Sequence, residues 1–468
     1  MASQAQLSDK DREFREFTLH ANMWRVIFYV GFPLALYQSL TQLFKIFDSM
    51  MASHISATAV STVTYLSQIN MMLSAIGGGL AVGASIKISE AYGAGDFQLV
   101  KKRVSTLFTM CGILGFGLLI ILVPFTPQFL RLAKTPEEFI AAGSQYFILE
   151  LFAMVISFFN NVYIAIERAR GNSQRILHLN IGVIVLKLAL TALFVYVLNC
   201  GINMISVATI ISQAFLFAAA VKNLNQKDNA FGFSPSSISF SRQVTGPMVT
   251  LSIPVIIEKA AFALGKVVVN SMSTIYGSLT VGALGISNNI GGFTTTPQAG
   301  FQEGGSAVIS QNLGAGKPKR ALKAFWCVLI INTLIGFIFM SICLVFLRQI
   351  SWLFAGSDTE FQEMIISIYK YEAMAAIPLG INASILALLY SFGETRLTLF
   401  INFSRVFLYR IPILWFLQNF TNLGSVSLGI VMGVSNILTG LTAVIIGIWQ
   451  IRKICKKYEI SFFQSVLK

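Results

Sequence analysis

The sequence predicts an all-α integral membrane protein with twelve transmembrane helices in two six-helix lobes, related by a pseudo-two-fold axis along the membrane normal. Three observations predict this fold: an apolar composition, an alternation of apolar stretches with basic loops, and an internal repeat. Of the 468 residues, 55% are hydrophobic and 12% are charged, and the mean hydropathy is +0.71. Soluble chains carry about 25% charged residues, so lipid must contact much of this surface.

Twelve stretches are long and apolar enough to cross a bilayer, since a spanning helix needs about 20 residues. An even number of spans places both termini on one side, whose loops and tails hold 23 Lys and Arg residues, against three on the other side. This bias predicts that both termini are cytoplasmic. The stretches lie near residues 25–50, 60–90, 103–125, 139–165, 175–197, 203–222, 246–275, 280–312, 321–347, 362–391, 397–418 and 424–450.

An internal repeat relates the two halves of the chain. Residues 79–95 read GLAVGASIKISEAYGAG and residues 300–316 read GFQEGGSAVISQNLGAG, with eight identities at an offset of 221. Pro33 and Pro254 share this offset. The offset covers six spans, an even number, so both halves have the same orientation and a substrate path is expected between them.

The repeat also determines the predicted domain organisation, although a channel or a scaffold could carry the same duplication. Gly171 and Gly393, 222 residues apart, extend it beyond the glycine-rich segments. The predicted parts are a cytoplasmic N-terminal segment at 1–24, six-helix lobes at 25–222 and 245–451, a cytoplasmic linker at 223–244 and a cytoplasmic tail at 452–468.

The sequence lacks the motifs that are typical of several other functional classes. The five cysteines form no CxxC motif and the three histidines are scattered, so we expect neither a disulfide framework nor a metal site. No GxxxxGK[ST] motif and no nucleophile–base pair stand out, so we expect no enzyme activity and no cofactor. The net charge of +14 lies in clusters between apolar runs, which favours a membrane protein over a nucleic-acid partner.

The order and spacing of six motifs resemble those of the multidrug and toxic compound extrusion (MATE) transporters of bacterial type, a family of the MOP flippase superfamily. The resemblance covers nearly the whole chain. Its most diagnostic stretch is GGSAVISQNLGAGKPKR at 304–320. The other motifs are Pro33 with FDS at 47–49, the segment 83–96, Pro254 to Glu258, GETR at 393–396 and RIP at 410–412.

This resemblance implies secondary active export driven by inward flow of protons or sodium. It implies two lobes that alternate between V-shaped states, and amphipathic organic cations as typical substrates. We therefore expect a multi-pass protein of the cytoplasmic membrane that acts as a monomer. Its expected partners are a small-molecule substrate, H⁺ or Na⁺, and the lipid bilayer.

Ionisable residues within predicted spans are costly in lipid and are therefore candidate functional residues. Asp48 matches an Asp of the family's first helix and is expected to respond to protons or sodium, or else to pair with Lys45. Where the family's fifth helix often reads N-x-x-L-D-P, this chain has Lys187 and Thr191. Compared with the family's motif, this site has one carboxylate fewer and one ammonium more. The resemblance therefore implies that sodium coordination is less expected in this lobe. Lys187 is expected to pair with Asp48 or with a substrate anion.

The second lobe contains its own candidates. Glu258 matches a P-x-x-x-E pattern and is expected to couple ions, to bind substrate, or to pair locally. Arg410 falls at roughly the depth of the lysine in span five, so it is expected to face the central cavity or to brace the outer helix ends. Glu150 and the Lys370–Glu372 pair are interpreted as structural ion pairs.

The expected function is an antiporter that exports amphipathic organic compounds by alternating access, coupled to protons rather than sodium. The alternative is a flippase or exporter of an anionic lipid-linked or anionic metabolite substrate, which the basic residues Lys187, Arg405 and Arg410 favour. A channel or non-transporting scaffold is the third hypothesis.

Overall fold

The computed structural model describes residues 6–53, 57–133, 135, 137–225, 229–356 and 358–461. Within these ranges, side chains are described except at 45–53, 57–62, 64, 65, 138, 142 and 278. The described part is helical, with one isolated backbone bridge between Gln6 and Asn229. Helices are expected because a helix satisfies every backbone hydrogen bond within its own segment, as the interior of a bilayer requires.

The described residues of the first half of the chain form eight α-helices and a π-helical turn at Leu193–Val197. The α-helices are α1 (Asp9–His20), α2 (Met23–Ser53), α3 (Ala57–Ala94), α4 (Phe97–Leu122), α5 (Thr126–Leu132), α6 (Glu137–Ala169), α7 (Ser173–Ala192) and α8 (Asn203–Leu224).

Where the structure describes the second half, it contains nine α-helices and a π-helical segment at Ser404–Arg410. The α-helices are α9 (Arg242–Ser273), α10 (Ser278–Gly314), α11 (Pro318–Val345), α12 (Leu347–Ala355), α13 (Thr359–Ala373), α14 (Ala376–Ser391), α15 (Thr395–Phe403), α16 (Ile411–Phe420) and α17 (Val426–Lys457).

Every one of the twelve predicted spans coincides with a helix or a pair of consecutive helices. In the described part, 10 helices are long and apolar enough to cross a membrane, or up to 11 if α13 and α14, bent by 48°, form one span. The remaining predicted span is α10, which is 37 residues long but interrupted by polar residues and glycines. The sequence prediction of an all-α membrane protein is therefore confirmed.

The chain divides into two compact units. The first unit comprises Met1–Glu16 and Leu43–Ala260, and the second comprises Phe17–Gln42 and Ala261–Lys468. The first part of α2 thus belongs to the second unit, and the first part of α9 to the first unit. The predicted lobes at 25–222 and 245–451 follow the sequence repeat, and those boundaries stay a prediction.

Repeat-related glycines allow close helix packing in each unit. In the first unit, a Cβ atom at Gly79 would lie 2.7 Å from the Ile256 backbone nitrogen, and one at Gly83 would lie 2.6 Å from Ser252 Cα. In the second unit, a Cβ atom at Gly300 would overlap the Ala35 backbone. The repeated glycines are therefore explained by contact between helix backbones.

Replacing Gly79 or Gly300 by Val is expected to destabilise the protein by about 1–3 kcal/mol or more, because the new side chain would overlap a neighbouring backbone that cannot move aside. A lower melting temperature of the detergent-solubilised protein would show this. The matched control is Gly117→Val in α4, where nothing lies within 4 Å of the added Cβ. Equal melting temperatures for all three variants would contradict the packing argument.

The N-terminal helix α1 is attached to the first unit by a buried ion pair. Asp11 accepts hydrogen bonds from Arg170 Nε at 2.7 Å and Nη2 at 2.9 Å, and Arg170 Nη1 donates to Glu167 at 3.2 Å. Burial raises the pKa of Asp11, but the hydrogen bonds and positive charge of Arg170 outweigh it and hold that pKa below its ordinary value. Asp11 is therefore ionised at neutral pH.

Candidate functional site

A carboxylate within the apolar part of α6 is the centre of a polar cluster in the first unit. Glu150 lies in the apolar stretch Gly143–Ala169. Asn70 Nδ2 of α3 donates to its Oε2 at 3.1 Å, and Ser206 Oγ of α8 donates to its Oε1 at 2.8 Å. Two neighbouring helices thus supply donors to a group that would be costly in lipid if left unsatisfied.

The sequence-predicted residues of α7 lie in the same unit. Lys187 is partly buried, and Thr191, one turn later, is fully buried with no hydrogen-bond partner for its Oγ1 among the described residues. The side chains of Asp48 and Lys45 lie outside the described residues. The pairing of Lys187 with Asp48 therefore stays a prediction.

Glu258 lies on α9 and is 7% exposed. It belongs to the first compact unit, which ends at Ala260, although the sequence analysis assigned it to the second lobe. Its role in coupling or binding stays a prediction.

A second, partly buried carboxylate lies on α13 in the second unit. Ser287 Oγ of α10 donates to Glu372 Oε2 at 2.6 Å. One turn later on α10, a Cβ atom at Gly291 would lie 3.1 Å from Glu372 Oε1, so the absence of a side chain there leaves room for the carboxylate. Glu372 also lies close enough to Arg410, Arg405 and Lys266 to be attracted by their positive charges.

Two arginines of the second unit converge on one amide. Arg405 Nε and Arg410 Nη2 both donate to Asn436 Oδ1 of α17 at 2.8 Å, and Arg410 Nε donates to Ser435 Oγ at 3.2 Å. Both arginines belong to the π-helical segment Ser404–Arg410. Such segments widen a helix locally and frequently occur at functional sites.

A lysine and an aromatic ring complete this basic cluster, which we define as Lys266, Arg405, Arg410 and Asn436 with Phe262. Lys266 Nζ lies 5.2 Å from the Phe262 ring centroid and Arg405 Cζ lies 5.3 Å from the same centroid. Arg410 is 3% exposed, whereas Lys266 is exposed. The structure therefore combines the predicted site residue Arg410 with two further cations and the Glu372 carboxylate.

The interpretation of Lys370 and Glu372 as a structural ion pair was wrong. Among the described residues, Glu372 accepts its hydrogen bond from Ser287, while Lys370 is exposed and lies 4.9 Å from the Tyr371 ring centroid. The two side chains are separated because residues two positions apart on a helix do not face each other.

Sequence reasoning also missed the relation between the two partly buried carboxylates. Glu150 and Glu372 are 222 residues apart, the same spacing as between Gly171 and Gly393. Applying the repeat offset to every acidic residue within the spans would have found this pair. Each unit therefore contains one hydrogen-bonded carboxylate at the equivalent position of its fourth span.

The chain has long apolar helices, a duplicated architecture and buried ionisable groups. These features together are typical of a multi-span membrane transporter. The MatE family profile matches twice, at residues 33–193 and 254–416, and the two matches begin 221 residues apart. The chain belongs to the MATE family. This confirms the resemblance inferred from the sequence and shows a transporter rather than an enzyme.

Known relatives and solved structures agree with this assignment. The chain is 25% identical over 341 residues to the "Probable multidrug resistance protein YoeA" of Bacillus subtilis, covering 71% of this chain and 74% of that one. A crystal structure of MATE in complex with MaL6 has a TM-score of 0.89 at 19% identity, covering 94% of this chain and 99% of that one.

A further structure, of a MOP superfamily transporter from Pyrococcus furiosus, has a TM-score of 0.89 at 18% identity, covering 96% of this chain and 99% of that one. For that transporter, reverse polarity of the binding pocket suggests a different function. At these identities, the two structures show the fold alone.

Proposed function

We propose that the protein is an antiporter of the cytoplasmic membrane that exports amphipathic organic compounds in exchange for protons. The observation that carries this proposal is the pair of partly buried, hydrogen-bonded carboxylates, Glu150 and Glu372, at equivalent positions of the repeat. A carboxyl group within a span can carry a proton across the bilayer when its access alternates between the two sides. Asp48 and Glu258 are further proposed proton carriers.

The choice of protons over sodium rests on the charge that span five carries. Lys187, in place of an amide in span five, would repel a sodium ion in that lobe.

The relatives' names support the substrate class. YoeA is named a probable multidrug resistance protein, and we extend that activity to this chain as part of the proposal. We also propose that both termini are cytoplasmic and that the protein acts as a monomer, without a cofactor.

A second candidate function is export of an anionic compound. The basic cluster of the second unit favours it. The two candidates share the transport mechanism and differ in the charge of the compound.

Proteoliposomes under separate proton and sodium gradients test this proposal. The probes are naphthylmethyltrimethylammonium, a permanent cation, and naphthalenesulfonate, a permanent anion. We expect uphill movement of at least one probe under the proton gradient and none under the sodium gradient. Accumulation driven by sodium alone, or movement of both probes only down their own gradients, would contradict the proposal.

Replacing Lys187 by Met is expected to change both the rate of proton-driven transport and its pH profile, because Lys187 is proposed to pair with Asp48 or with a substrate anion. The matched control is Lys370→Met, which removes an exposed lysine of α13. The same vesicle assay at several pH values measures the effect. An unchanged rate and pH profile in Lys187→Met would remove Lys187 from the mechanism.

A further inference from the structure

We infer that the basic cluster of the second unit is a binding site for an oxyanion group, such as a carboxylate or sulfonate, on an amphipathic compound. This inference deepens the proposed function and rests on it for the transport step. The binding step can be tested without transport.

The first argument is the arrangement of the two arginines. Both donate to the same uncharged oxygen, Asn436 Oδ1, at 2.8 Å. The two donor nitrogens therefore cannot lie more than twice that distance apart. Two positive charges this close within a membrane repel each other strongly, and a neutral amide oxygen compensates them poorly. An oxyanion between them would remove this repulsion.

The second argument is the number of donors that remain. A guanidinium carries five N–H donors, and the described hydrogen bonds use one of Arg405 and two of Arg410. Asn436 is fully buried and its Nδ2 has no hydrogen-bond partner among the described residues. Planar guanidinium groups match oxyanions through paired N–H···O bonds. The unused donors thus suit an anionic ligand.

The third argument is access from water. Lys266 is exposed and lies about ten residues, or about 15 Å of helix, from the end of the span at Tyr276. An ammonium within an apolar span is costly in hydrocarbon, so the face of α9 that bears it suits a water-filled space better than lipid. Phe262, on the same face one turn earlier, contacts both Lys266 and Arg405 and offers an aromatic surface to the apolar part of the compound.

The fourth argument concerns the negative charge that is already present near the cluster, on Glu372. The cluster has three cations, and the nearby Glu372 carboxylate supplies one negative charge but is held by Ser287 instead of by an arginine. The two arginines alone carry one more positive charge than this carboxylate balances. Glu372 therefore opposes binding of a second anion without filling its place, and neutralising it should strengthen binding.

Equilibrium calorimetry on the full chain in phosphatidylcholine nanodiscs tests the inference. The probes share one ring system: naphthalenesulfonate, neutral naphthylmethanol and naphthylmethyltrimethylammonium. We expect the sulfonate to bind more tightly than the other two. Asn436→Asp, which places a carboxylate between the arginines, should weaken sulfonate binding by about tenfold or more. Glu372→Gln should strengthen it by about tenfold.

These opposite changes separate a binding site from a structural ion network. The matched control is Arg452→Gln, which removes an exposed cation of α17 and should leave sulfonate binding unchanged. Asn436→Asp introduces its own carboxylate beside both arginines and therefore retains a charge partner for them. Melting temperatures of each variant verify that it is folded.

Three results would overturn the inference: equal affinity for the three probes, weaker sulfonate binding in Glu372→Gln, or loss of binding when phosphatidylglycerol replaces part of the phosphatidylcholine. The last result would assign the cluster to a lipid headgroup. Failure of proton-driven transport with normal sulfonate binding would contradict the proposed function and leave this site intact.

Discussion

Replacing Glu150 by Gln is expected to reduce proton-driven efflux to the background of protein-free vesicles. Glutamine can occupy the same space and keep hydrogen bonds with Asn70 and Ser206, but it cannot bind and release a proton. The substitution therefore removes the coupling step and retains the fold. Efflux under an imposed pH gradient measures the effect.

The matched control for this prediction is Glu137→Gln on the same helix. Glu137 is exposed and pairs with Arg131 at 2.8 Å, and surface pairs of this kind contribute little to stability. This variant should transport like the unmodified protein. Normal proton-driven efflux in Glu150→Gln would show that Glu150 takes no part in coupling.

Replacing Asp11 by Asn is expected to loosen the N-terminal part of α1, which belongs to the first unit. Removing one partner of a buried ion pair costs about 3–5 kcal/mol, and the lower end applies here because Arg170 keeps its contact with Glu167. A loss of about 3 kcal/mol corresponds to about 100-fold faster hydrogen exchange in α1. Hydrogen-exchange mass spectrometry of the solubilised protein measures this change. Asp9→Asn, at an exposed position of the same helix, is the control.

The same ion pair predicts a pH dependence. The pKa of Asp11 is lowered in the folded protein, so the pair contributes its full stability above the pKa of a free aspartate, about 3.9. That stability is lost as the pH falls through the lowered pKa. Protection of α1 should therefore be constant between about pH 7 and pH 5. Weakening of α1 protection within this range would contradict the assignment of Asp11 as the anchoring carboxylate.

The helices and the repeat were predictable because both depend on local sequence. Apolar stretches of about 20 residues determine the spans, and the glycines at 79, 83, 300 and 304 recur at one offset. Even α10, which is interrupted by polar residues and glycines, coincides with a predicted span, at 280–312. The 48° bend between α13 and α14 could have been found through Pro378, which cannot donate a backbone hydrogen bond within the first turns of α14.

The composition of the candidate site was only partly predictable. Arg410 was identified as a charge within a span, but its partner Asn436 lies 26 residues away on another helix, and nothing in the local sequence connects the two. The first part of α2 belongs to the second compact unit and the first part of α9 to the first unit. This division likewise depends on helix packing and not on local sequence. Glu150 and Glu372 were visible in the sequence, but their common position in the repeat was missed because each was considered within its own helix.

Proton movement driven by a substrate gradient tests the antiport account most directly. Vesicles loaded with the transported naphthyl probe and a pH-sensitive dye start with no pH difference across the membrane. As the probe leaves through the protein, the account predicts that the lumen becomes more acidic, and that Glu150→Gln vesicles show no acidification. Exit of the probe through the unmodified protein without acidification would contradict proton exchange.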